Sequence, residues 1–72
     1  MKQQGNLKSR VISNKGILGG TPVIEGTRIT AENVMAEVIA GKSKFEIFES
    51  YPTLPLDGVE ACIEWDKMGR PH

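Results

Sequence analysis

Cysteine, histidine and long apolar runs are all scarce in this 72-residue chain, and each scarcity closes off a class of protein. Cys62 is the single cysteine, so no intrachain disulfide can form, and a lone thiol fits a reducing compartment. His72 is the single histidine, at the very end of the sequence, which leaves no His/Cys set for a metal. The longest mainly apolar stretch, residues 34–40, is interrupted by Glu37 and is far shorter than the roughly 20 residues of a membrane span. Met1 to Gly5 is polar and has no apolar signal core. The expected location is the cytoplasm.

Signatures of chemistry are missing too. Neither the G-x-x-x-x-G-K-[ST] nor the G-x-G-x-x-G pattern occurs, so Gly16, Gly19 and Gly20 read as turn formers rather than a phosphate cradle. The acids of the second half have the spacing of solvated helix faces, and the chain is too short to wall a catalytic pocket. The expectation is a non-enzyme with no cofactor, no metal and no small-molecule substrate. A chain of this size buries only roughly 60% of its unfolded surface, so self-association to a homodimer or higher oligomer is expected to add stability.

What is present is a segregated set of charges around a patterned core. The formal net charge is zero, yet residues 1–28 hold five basic side chains against Glu25 alone, while residues 29–72 hold four basic and eight acidic ones. Such an asymmetry orients a charged partner or a second copy, or is ordinary solvated surface. Residues 1–9 read as a polar, disordered tail, and residues 10–72 as one domain. Val11 and Ile12 mark a short strand. Residues 23–29 form two extended pieces around Gly26, placing the β segment at 10–29.

Three helices follow. The first, about 31–40, has Thr30 as N-cap, Ile29 and Val34 at staple spacing, and an apolar face of Val34, Met35, Val38 and Ile39, with Gly41 as its stop. The second, about 44–50, opens on the Ser43/Glu46 capping box. Its expected buried side is Phe45 and Phe48 with Ile47 and Tyr51, and Pro52 closes it. The third, about 56–68, carries Val59, Cys62, Ile63 and Asp66 in one stripe, with Trp65 outside it. Pro55 stands where a capping hydroxyl is expected, and Gly58 costs about 1 kcal/mol relative to Ala. The fold class is mainly α, a short N-terminal β-hairpin before a three-helix cluster.

The stretch Gly20-Thr21-Pro22-Val23-Ile24-Glu25-Gly26-Thr27-Arg28-Ile29-Thr30 resembles the G-x-P-x-I-x-G-T-R-I core of the family known as domain of unknown function 433. Gly41-Lys42-Ser43-Lys44-Phe45-Glu46-Ile47 is similar to that family's G-x-S-x-E-E-I segment, with Phe45 in place of the first acid. Tyr51-Pro52-Thr53-Leu54 is similar to its Y-P-x-L, and Val59 to Trp65 to its last helix. The chain departs from the pattern at Pro55, where the family has a capping threonine, and at Gly58, where it has an acid. The resemblance implies a helix-turn-helix-like, homeodomain-like unit. It also implies an antitoxin of a type II toxin–antitoxin pair, whose usual partner is a PIN-like ribonuclease toxin.

Candidate contacts follow from charge. Helix 3 carries Asp57, Glu60, Glu64 and Asp66, which phosphates repel, so DNA contact would fall to Lys8, Arg10, Lys15, Arg28, Lys42 and Lys44. Trp65 is either an interface anchor or core. Lys67 and Arg70, with Arg28 as the alternative, are the bases offered to the carboxylates that hold Mg²⁺ in a PIN-type site. The leading expectation is neutralisation of such a toxin by direct binding, with repression of the operon through operator DNA. A stand-alone DNA-binding regulator and a dimeric protein-interaction adaptor are the alternatives.

Overall fold

The computed structural model describes residues 8–72. Of the tail expected over residues 1–9, residues 1–7 lie outside this range. Lys8 and Ser9 are not loose: both backbone amides donate to the Asp57 carboxylate, at 2.7 and 3.0 Å.

Two-residue strands β1 (Val11–Ile12) and β2 (Val23–Ile24) pair antiparallel, Val11 opposite Ile24 and Ile12 opposite Val23. Between them Asn14 accepts the Gly16 amide on its side chain at 2.8 Å, and residues 18–20 form one tight turn. Leu18, Gly19 and Gly20 all take positive φ there, 50°, 68° and 94°. After β2 the chain reverses at Gly26 (φ 85°), and Thr27 fixes the reversal. Its hydroxyl donates to the Ile24 carbonyl at 2.8 Å and accepts the Ile29 amide at 3.0 Å. Thr30 thereby returns opposite Val23.

Helix α1 (Ala31–Ile39) starts with Thr30 Oγ1 accepting the Asn33 amide at 3.2 Å. It stops with Gly41 at φ 86°, whose amide reaches the Val38 carbonyl while that of Lys42 reaches Glu37. Helix α2 (Lys44–Ser50) has both bonds of the Ser43/Glu46 capping box. Helix α3 (Gly58–Lys67) begins two residues later than expected. The Gly58 amide closes a turn onto the Pro55 carbonyl, which leaves Leu56 outside the helix. The architecture is a short antiparallel hairpin followed by three helices, as expected.

The core is built where α1 and α3 face each other under the hairpin, from Ile24, Ala31, Val34, Met35, Ile47, Leu54, Val59, Cys62 and Trp65. Two apolar residues expected there lie outside. Phe45 is 84% exposed because it sits two residues, about 200° around the helix, from the buried Ile47. Ile39 is 71% exposed, whereas its neighbour Val38 packs against the core. On α3 the buried stripe is rotated from the expected one. It holds Gly58, Val59, Ala61, Cys62 and Trp65, while Asp66 lies outside. Gly58 lets the start of α3 approach Leu54 closely: a Cβ there would meet Leu54 Cδ1 at 2.6 Å and Cγ at 2.8 Å.

Candidate interaction surface

Hydrogen bonds and ion pairs fasten the start of the described chain and α2 to α3. Asp57, at the start of α3, does not cap its own helix. It accepts the two amides of Lys8 and Ser9 and the Ser9 hydroxyl. These bonds, those of Ser9 foremost, hold its carboxyl below the usual carboxylate range. Lys44 at the start of α2 reaches Glu60 of α3 at 2.6 Å and pulls the Glu60 carboxyl down likewise. Arg10 lies 3.4 Å from Glu25 across the hairpin, and Lys42 lies 3.8 Å from Glu37. Each of these ion pairs joins residues of the same half of the sequence, so the charge asymmetry between the halves persists in the fold.

This pairing redistributes the residues expected to meet nucleic acid. Arg10, Lys42 and Lys44 are each in an ion pair and are spread over the hairpin and the α1–α2 corner. Among the described residues the side chains of Lys8, Lys15 and Arg28 make no ion pair, and all three are exposed. Arg28 stands in the reversal that Thr27 ties, without a hydrogen bond of its own among the described residues.

The residues expected to meet a protein partner gather at the end of α3. Trp65 is only 4% exposed and belongs to the core, so it is not an open anchor. Its indole N–H donates to the Pro71 carbonyl at 2.9 Å. Arg70 takes φ 55°, donates from Nε to Asp66 Oδ1 at 2.6 Å, and lies over the indole with Cζ 5.3 Å from the ring centroid. Lys67 lies 3.7 Å from Glu64 and is well exposed.

Two open grooves flank Trp65. One, about 340 Å³, runs past Gly20, Thr21, Glu32 and Arg70 to His72. The other, about 290 Å³ and more apolar, lies between Val11 and the α3 residues Ala61, Glu64 and Met68, with Pro71 at its edge. The surface also carries large apolar side chains, Leu56 (87% exposed), Phe45 and Ile39, and Met68 of the second groove is exposed as well. Sequence reasoning foresaw none of these as exposed.

Reactive groups are few. Burial pushes the Cys62 thiol up to about 12, far from a reactive thiolate. Burial and the neighbouring Glu37 carboxylate raise the Tyr51 hydroxyl. Among the described residues no three His, Cys, Asp or Glu side chains come together as a metal-holding group. No helix among them is long and apolar enough to cross a membrane.

Sequence reasoning did not foresee that Asp57 and Glu60 tie α3 to the start of the described chain and to α2. Asp57 is bonded to residues 48 and 49 positions away, beyond the reach of any local pattern.

Comparison with known proteins places this geometry in context. The family model described as "Protein of unknown function (DUF433)" matches residues 11–65. The chain is 43% identical over 49 residues to "Uncharacterized protein y4eO" of Sinorhizobium fredii. That alignment takes in 68% of this chain but 22% of the relative, so the chain spans about a fifth of its length. No solved structure matches the chain significantly.

Proposed function

The chain belongs to the DUF433 family, and on that premise we propose that it is a non-enzymatic domain that works by binding another protein, as the antitoxin of a type II toxin–antitoxin pair. The observation that carries the protein-binding part is the exposure of Phe45, Leu56, Ile39 and Met68 on so small a domain. Apolar side chains of that size left in water support a surface that a partner covers. The antitoxin part rests on the motif resemblance, with a PIN-like ribonuclease as the partner. Lys67 and Arg70 are the bases offered to its carboxylates, and Arg28 is the exposed alternative. The reading includes a cytoplasmic location, supported by a single thiol kept in the core, and a homodimer or higher oligomer.

Co-expression with the product of the neighbouring gene tests it. The two proteins are expected to co-purify, and growth arrested by the neighbour is expected to be restored. Failure of both ends the antitoxin reading.

A second reading, an operator-binding regulator, is favoured by one observation: Lys8, Lys15 and Arg28 are exposed and outside the ion pairs among the described residues. It requires DNA binding with a steep salt slope that weakens when these three are neutralised. Binding indifferent to those changes removes it.

A further inference from the structure

We infer that residues 69–72 are a built-in occupant of an acidic, tryptophan-floored trench that accepts an arginine-bearing extended segment of a partner protein. This deepens the protein-binding reading and rests on it. The two grooves beside Trp65 are separated by this segment: Arg70 and His72 wall one, and Pro71 walls the other. Lifting the segment joins them into one trench with the indole as its floor.

The segment behaves as a ligand does. Pro71 supplies a carbonyl to the indole N–H at 2.9 Å. Arg70 supplies a cation to Asp66 at 2.6 Å and lays it over the indole face at 5.3 Å. The Arg70 and Asp66 side chains keep about a third of their surface exposed, and the backbone that delivers the contacts is strained, with Arg70 at φ 55°, a region costly for a residue with a Cβ. An occupant held in this way exchanges for a better one.

Charge selects the replacement. With Arg70 withdrawn, Asp66 loses its partner, while Glu32 lines one groove and Glu64 the other. The other cations beside these grooves are already engaged, Arg10 with Glu25 and Lys67 with Glu64. An extended segment carrying arginine, with a carbonyl one residue on for the indole, restores every contact. The same exchange frees Arg70 for the partner's own carboxylates.

Trp65 is the only tryptophan, so its emission reports the exchange directly. The probes are blocked peptides Gly-Arg-Pro-His and Gly-Gln-Pro-His, titrated into the full chain and its variants. Arg70→Gly removes the internal cation at a backbone position that suits glycine, and Arg70→Gln replaces it if that variant loses its helical circular dichroism. The cation-free variant is expected to bind the arginine peptide about tenfold tighter than the glutamine peptide, and about tenfold tighter than wild type does. Adding Asp66→Asn is expected to erase the preference. Equal binding of the two peptides, no change in Trp65 emission, or a preference that survives Asp66→Asn overturns the inference. Because the probe is synthetic, this outcome and that of the co-expression test are read independently.

Discussion

Gly58→Ala sets two opposite forces against each other at the first residue of α3. Helix propensity favours alanine by roughly 1 kcal/mol. Packing opposes it. The added methyl meets the Cδ1 of a buried leucine at 2.6 Å and its Cγ at 2.8 Å, with Pro55 Cδ at 3.4 Å behind. Rotating the far end of Leu54 relieves the first contact and not the second, so the leucine or the helix start must move. Overpacking of this kind costs about 1–3 kcal/mol, and a clash reaching Cγ belongs in the upper half of that range. The net expectation is a loss of about 1–2 kcal/mol, with a Tm lowered by roughly 4–8 °C per kcal/mol in a domain of this length. Urea unfolding followed by Trp65 emission measures it, with the slope m unchanged. The same substitution beside Leu54→Ala, in an osmolyte that keeps the double variant folded, is expected to be neutral or stabilising. A Gly58→Ala chain as stable as the parent, with Leu54 in place, refutes the reasoning.

Three further expectations can be checked on the purified chain. Because the Asp57 carboxyl is held below its ordinary value of about 4, its contribution is complete above that value and is lost as pH falls through the lower folded one. Asp57→Asn is expected to flatten the acid limb of stability against pH and to speed tryptic cleavage after Lys8; an unchanged limb and unchanged cleavage contradict the bonds to Lys8 and Ser9. Cys62, buried and pushed up to about 12, is expected to label with a thiol reagent only at the rate of unfolding, and prompt labelling of folded protein excludes its core placement. Phe45→Ser and Leu56→Ser are expected to change stability by less than about 0.5 kcal/mol while weakening partner capture at least about tenfold. Full capture by both variants removes these residues from the interface.

Local signals were the readable part of the fold. Thr30, the Ser43/Glu46 box and Gly41 act through bonds spanning three to five residues, so a single sequence displays them and the structure has them as expected. The face of a short helix is harder to read. Seven residues of α2 hold Phe45, Ile47 and Phe48, and only the neighbouring layers decide that Ile47 points inward. On α3 the face that buries Trp65 is set by packing, and the close approach of Gly58 to Leu54 is a contact with no periodic signature. Least visible were the ion pairs. The net charges of the two halves are plain in the sequence, but that Lys44 meets Glu60 depends on how α2 sits against α3.

The bond between Ser9 and Asp57 joins the start of the described chain to its last helix, 48 residues apart. A hairpin of two-residue strands has too little of its own to stand alone, and here its lead-in is fastened to α3, the third helix. No half of the molecule is a self-sufficient folding unit, so loop-closure entropy must be met before any part is secure. A growing polypeptide therefore offers a binding partner no finished surface until α3 has been made.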